Sequence, residues 1–164
     1  MKKLTLLAFA TLLANPAHSF ELATGVNDKG GFTATVTESN WLVSYSQGKK
    51  DNTDQKAWYF GYVFDATNNL QVAPLIGMRS VSASNGLYMA DSDNLALGLL
   101  SRYNVTKSLF VDLGATIDTQ KTQLGYRYYD MLSNESTVAE KMVFGETVDM
   151  GRQYDVWLSL GYRF

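Results

Sequence analysis

The chain has 164 residues, enough for one domain, with a formal net charge of −2 and no cysteine. That charge excludes the basic footprint of a nucleic-acid binder, and the missing cysteines exclude a disulfide framework. Thirteen glycines, ten tyrosines and eight phenylalanines against two prolines describe a strand-rich chain with an aromatic surplus.

Residues 1–19 read as an export signal. Lys2 and Lys3 precede an apolar run from Leu4 to Ala14, Asn15-Pro16 breaks any helix, and Ala17-His18-Ser19 offers the small residues a signal peptidase reads. Cleavage is expected before Phe20, leaving 20–164 as one domain exported through the general secretory route. The apolar run is shorter than the ~20 residues of a membrane helix, and no later stretch is long and apolar enough. A mature chain that meets a bilayer must therefore cross it as strands.

Alternation gives eight strands, approximately Phe20–Asn27, Gly31–Glu38, Trp41–Gln47, Ala57–Asp65, Leu70–Arg79, Asn94–Tyr103, Ser108–Asp118 and Gln153–Phe164. The fourth sets Trp58, Phe60, Tyr62 and Phe64 against Ala57, Tyr59, Gly61, Val63 and Asp65. The seventh sets Leu109, Val111, Leu113, Ala115 and Ile117 against Phe110, Asp112, Gly114, Thr116 and Asp118. One polarity repeats along the chain, as an all-β, eight-stranded, antiparallel up-and-down transmembrane β-barrel requires. A soluble periplasmic barrel or sandwich would instead turn its oily face inward, with no use for rows of outward Trp, Phe and Leu.

Pro74, inside the fifth strand, cannot donate to a ladder, so a bulge or an unpaired position is expected there. The first three strands fall short of the ~9–11 residues of a spanning strand and are expected to run into the adjoining turns. Ser39-Asn40, 66–69 and 104–107 form short connections. On the opposite end 48–56, 80–93 and 119–152 are long and polar, while Asp28-Lys29-Gly30 is short. Short periplasmic turns against long outer loops are the asymmetry of bacterial barrels, and an even strand count places both ends in the periplasm.

The last strand carries a resemblance. Val156, Leu158, Leu160, Tyr162 and Phe164 share one side, Asp155, Ser159, Gly161 and Arg163 the other, and only Trp157 breaks the polar set. It resembles the terminal strand of Gram-negative outer-membrane proteins, and its Gly-Tyr-Arg-Phe ending is similar to that of the small OmpX/Ail-like barrels. The resemblance implies an outer-membrane location among outer-membrane lipids. It also implies that Tyr162 and Phe164 serve as a signal to the barrel-assembly machinery, and that a protruding sheet edge serves surface adhesion and partner binding.

Chemistry is constrained by histidine. The only one, His18, lies in the leader, so the mature chain has neither His nor Cys, which removes Ser-His-Asp and Cys-His arrangements and nearly all zinc ligation. No cofactor or catalytic residue is expected. Asp118 and Asp155 remain as a carboxylate pair near the outer rim, able to share a proton or cleave a glycosidic bond, against the favoured reading that they cap an interior salt-bridge network. On the assigned facing Glu21, Asp65, Asp112, Asp118 and Asp155 point inward with Arg79, Arg102 and Arg163. Eight strands leave room only for side chains, so these charges are expected to form a polar plug. Small inward residues such as Gly61, Gly77, Gly98, Gly114 and Gly161 leave a narrow pore as the rival. Trp41, Tyr45, Trp58, Tyr62, Tyr103, Tyr154 and Tyr162 are expected in interfacial girdles. Asp91-Ser92-Asp93-Asn94 offers oxygens at calcium-like spacing but lacks the rest of an EF-hand loop.

Function is expected on the outer connections 80–93 and 119–152. The latter carries Tyr126, Tyr128, Tyr129 and Phe144 as candidate contacts for an unknown surface partner. Gln123–Tyr129 and Lys141–Thr147 could prolong strands seven and eight as a protruding ribbon, interrupted by a short helix if the capping box Thr137-Val-Ala-Glu140 is used, against the favoured reading of a mobile, solvated loop. The expected protein is a non-enzymatic, monomeric surface barrel with an envelope-structural or adhesive role. The alternatives are a narrow pore for small or hydrophobic solutes and a histidine-free lipid- or glycan-modifying enzyme.

Overall fold

A computed structural model describes residues 20–50, 53–84, 88–128 and 143–164. The expected signal peptide, Tyr129 and the capping box lie outside the described residues. Among the described residues eleven strands follow one another: β1 (Phe20–Asn27), β2 (Phe32–Glu38), β3 (Trp41–Lys50), β4 (Thr53–Tyr62), β5 (Phe64–Asp65), β6 (Leu70–Ser84), β7 (Tyr88–Asn104), β8 (Leu109–Asp118), β9 (Gln123–Tyr128), β10 (Val143–Asp149) and β11 (Tyr154–Arg163). Every pairing is antiparallel, and β1 closes on β11 with Glu21 opposite Arg163 and Asn27 opposite Trp157. With β5 as the short continuation of β4, eight walls form a closed barrel, as the alternation requires. Closure leaves no backbone edge within the wall to meet hydrocarbon.

The alternation sorts inside from outside. Along β11 the outward Leu160 is 61% exposed and the inward Trp157 1%. The outward face of the wall is a band of Leu, Ile, Val and aromatic residues, and the inward face is packed. The outward rings meet in pairs near the rims: Trp41 with Tyr62 at 5.1 Å and Tyr162 with Phe164 at 5.0 Å at the end carrying the short turns, and Tyr45 with Trp58 at 4.6 Å toward the other end.

The short turns have local causes. Ser39 and Asn40 both adopt positive φ (49° and 72°), the mirror-image geometry that suits the twist of a two-residue hairpin. The turns after β5 and β7 share one device. The Thr67 hydroxyl accepts the amide of Leu70 at 3.1 Å, and the Thr106 hydroxyl accepts that of Leu109 at 2.9 Å. On the opposite rim the Asn27 side chain accepts the amides of Lys29 and Gly31, and Gly30 supplies the positive φ.

Pro74 produces an unpaired position and no bulge. The register of β6 against β4 and β5 is the same on both sides of it, from Gly61 opposite Leu75 to Phe64 opposite Val72, and only the pairing lapses between β4 and β5. The Val63 amide donates to the Asn40 carbonyl at 2.8 Å, the next rung of the β3–β4 ladder after Trp41 opposite Tyr62, and β6 and β7 remain paired through Pro74 opposite Leu99.

The outer connections 48–56 and 80–93 differ from the expected loops, while the ribbon offered within 119–152 forms in its described part. β3 and β4 pair out to Lys50 opposite Thr53, β6 and β7 out to Ser84 opposite Met89, and β9 pairs with β10 from Gln123 opposite Asp149 to Tyr128 opposite Val143. β9 also adds to the outer end of β7, with Tyr88 opposite Tyr128. Among the described residues the long connections are therefore largely paired ribbon. Beyond the apolar band the outward face turns polar while inward Gln55 and Asn94 are polar too, so the oil-and-water alternation that marks a strand fades while the ladder continues.

Candidate functional site

The charged residues that face inward fall into two clusters. The first lies at the end carrying the short turns. Arg102 and Asp112 sit opposite each other on β7 and β8, so the guanidinium meets the carboxylate side by side, with Nε donating to Oδ1 at 2.7 Å and Nη2 to Oδ2 at 2.9 Å. Glu21 and Arg163 are likewise opposite on β1 and β11 and pair through Arg163 Nε, while Glu21 also receives Arg102 Nη1. Thr37 accepts a further bond from Arg102 at 3.3 Å, and the Phe110 ring lies 3.9 Å beneath that guanidinium. Two acids and two arginines thus close a neutral group.

The second cluster lies toward the outer end. Arg79 donates to Asp118 and Thr116 and, at 3.1 Å, to the Tyr59 hydroxyl. Asn94 and Thr122 bond the second oxygen of Asp118 at 3.1 and 3.3 Å. Tyr59 in turn donates to Asp155 at 3.4 Å. Asp118 and Asp155 are brought to one region, as expected, but each is engaged by interior side chains. Neither presents an open carboxylate to a substrate.

Between the clusters lies an apolar waist. The Tyr59 and Trp157 rings stack with centroids 5.4 Å apart and 8° between planes, against buried Leu42, Leu75 and Leu100. The inward glycines do not leave space here. Trp157 stands opposite Gly114, and a Cβ on that glycine would overlap its indole; Phe110 stands opposite Gly161 in the same way. On the side of β1, β2 and β3 a series of buried hydroxyls completes the packing, with Thr33 to Ser159 and Thr35 to Ser44 both at 2.9 Å.

Asp65 departs from the expected network. It lies on β5 at the rim, exposed, and accepts a bond from Gln71 at 2.8 Å. It is still paired, opposite Gln71, but it is the last residue of β5 and stands at the rim, beyond the packed interior. The calcium reading fails on geometry. Asp93 is exposed on the outward face beside Ser80, whereas Asn94, its neighbour, points inward to Asp118. Alternation sends consecutive side chains to opposite sides. Tyr162 and Phe164 are exposed on the outward face at the rim where β1 and β11 close, with the Phe164 amide bonded to the Phe20 carbonyl at 2.9 Å. Tyr126 and Tyr128 fall on β9 and Phe144 on β10, within the outer ribbon.

Tyr59, Trp157, Phe110, Asn94 and Thr116 were not among the expected interior network, yet they organise it. A signal for two of them exists in the sequence. A large inward ring placed opposite an inward glycine on the neighbouring strand, as in Trp157 with Gly114 and Phe110 with Gly161, marks a side chain laid across the interior.

The chain shares its fold with a solved outer-membrane protein. The crystal structure of a major outer membrane protein from Thermus thermophilus superposes with a TM-score of 0.56 at 13% identity, covering 90% of this chain and 100% of that one. Ail, the attachment invasion locus protein of Yersinia pestis, gives 0.44 at 13% identity, covering 90% and 95%. Neisserial surface protein A gives 0.39 at 17%, covering 89% and 92%. No protein-family model matches the chain, and no curated protein does either. The first superposition shows the fold of a small outer-membrane β-barrel.

Proposed function

We propose that this chain is a non-enzymatic integral protein of a Gram-negative outer membrane. Its filled barrel serves as a pedestal for a surface sheet built from the outer parts of β6 and β7 with β9 and β10. The single observation that carries this reading is the extension of those strands past the apolar band, ending in β10, which has a paired neighbour on one side only among the described residues. An extended strand edge recruits partners through backbone hydrogen bonds and lends itself to adhesion. The hydrogen-bonded charge clusters and the stacked waist support a plug over a conducting pore. The engagement of Asp118 and Asp155 by Arg79 and Tyr59 speaks against a hydrolase.

The test is binding of the nanodisc-embedded protein to an immobilised panel of extracellular proteins, beside a variant in which residues 119–152 are replaced by Asn-Gly. Binding lost in the variant supports the reading. Binding that survives the replacement, or none by the intact protein, sinks it.

A further inference from the structure

The outward apolar band changes height around the wall. It runs from Tyr154 to Phe164 on β11, from Leu95 to Tyr103 on β7 and from Leu109 to Ile117 on β8. On β2 it is confined to Phe32, Ala34 and Val36 and is closed by Glu38. On β3 it holds Trp41, Val43 and Tyr45, with exposed Gln47 and Lys49 beyond them and exposed Lys56 opposite Gln47 on β4. At ~3.4 Å per residue and ~40° of strand tilt, the band is about 25 Å tall on β11 and about 10 Å on β2 and β3.

Tilting the barrel does not level this difference. Followed from strand to strand through the ladders, with the stagger that tilted strands require, the middles of the bands lie at nearly one height: Ala34, Val43, Leu99, Leu113 and the point between Leu158 and Leu160. The belt is pinched from both edges, not slanted. Rings mark both edges of the pinch. Trp41 packs on Tyr62 below and Tyr45 on Trp58 above, and such amphipathic rings settle at the lipid–water boundary. Charged residues lie just past each pair. Water therefore stands on both sides of a strip about 10 Å deep.

We propose that the bilayer is thinned locally against β2 and β3, so that the protein carries a one-sided lipid-compressing face. The occupant of that face is lipid of reduced thickness, not a second copy or another protein, because a protein interface would not need an aromatic pair at each water boundary. This inference rests on the barrel standing in a membrane. A hydrophobic stretch shorter than the hydrocarbon is accommodated by drawing the lipid in, at a cost that rises with each ångström of mismatch.

The experiment compares unfolding equilibria in phosphatidylcholine vesicles with 12-carbon and 18-carbon chains, for the wild type, for Glu38→Leu with Gln47→Leu and Lys49→Leu, and for Thr24→Leu. The triple variant heightens the strip, whereas Thr24→Leu adds apolar surface in mid-belt without changing its height. The triple variant should gain about tenfold more in folded-to-unfolded ratio in the thick bilayer than in the thin one. Thr24→Leu should gain equally in both. An equal gain by the triple variant in both bilayers overturns the proposal. If that variant does not fold, the wild type alone must still lose stability from 12 to 18 carbons, and a flat profile counts against thinning. A single cysteine at position 34 gives a further reading in a chain that has none of its own. An intermolecular disulfide in Ala34→Cys would place a second copy on the face and overturn the lipid assignment. Failure of the wild type to insert into any vesicle would instead remove the membrane reading itself.

Discussion

Arg102 holds two carboxylates that, among the described residues, have no other cation within the wall except Arg163 on Glu21. Removing one member of a buried pair leaves the other charge uncompensated, which costs far more than the pair contributes. Arg102→Ala should therefore lose about 3–5 kcal/mol in urea unfolding from detergent or vesicles. Arg102→Met with Asp112→Leu should recover most of that loss, because Glu21 keeps Arg163. Gly114 illustrates packing in place of charge. A methyl there overlaps the Trp157 indole, so Gly114→Ala should cost about 1–3 kcal/mol, and a double-mutant cycle with Trp157→Leu should show strong coupling. Asp28, in the outer turn beyond the spanning strands, gives a pH dependence. Burial pushes its carboxyl up, but the Val156 amide at 3.0 Å and the Lys29 ammonium at 2.9 Å outweigh this and hold it below 3.8. A depressed carboxyl contributes stability that is present above its unfolded pKa and lost as pH falls through the folded value. Asp28→Asn should flatten the acid limb of the stability profile, seen as a smaller change in unfolding midpoint below about pH 4.

At the scale of elements, the barrel wall and the outer ribbon are separable. β8 and β11 pair directly from Leu109 opposite Tyr162 to Ile117 opposite Tyr154, below the point where β9 and β10 begin. Replacing residues 119–152 by a two-residue turn should therefore keep the heat-dependent shift in gel mobility of a closed barrel; loss of the shift would show that the ribbon is needed for closure. The same division explains what the sequence makes legible. Within the apolar band every strand announces itself by period two, and its borders there agree to within a residue or two. Lys49, Lys50, Thr53 and Asp54 lie past the band, where alternation carries no oil-and-water contrast, so paired strand reads as polar loop. Asp65 reads as interior because period two gives facing and not height, and its strand ends at the rim. The Arg102–Asp112 and Glu21–Arg163 pairs were legible in type from their inward facing, but their partnership depends on register between strands. That quantity is fixed by the ladder and the turns, not by either strand alone.

At the scale of the molecule, the interior decides between plug and pore. Two hydrogen-bonded charge clusters with stacked Tyr59 and Trp157 between them leave no aligned polar path along the axis on that side, among the described residues. In a planar bilayer the wild type should show no steady single-channel steps, whereas Tyr59→Ala with Trp157→Ala should open measurable conductance across the waist. Steady conductance by the wild type would refute the plug. The closure between β1 and β11 has a consequence for how such a molecule comes into being. It joins the segments farthest apart along the described chain, so its loop-closure entropy is the largest and its pairing comes late. Until then two strands expose unpaired amides and carbonyls, each a template for a neighbouring chain. A slip of one residue at that seam would turn Glu21 toward hydrocarbon and Leu22 toward the interior. Arg163 rewards only the register that keeps Glu21 inside, so the charge pair acts as a proofreading latch on the final step of assembly.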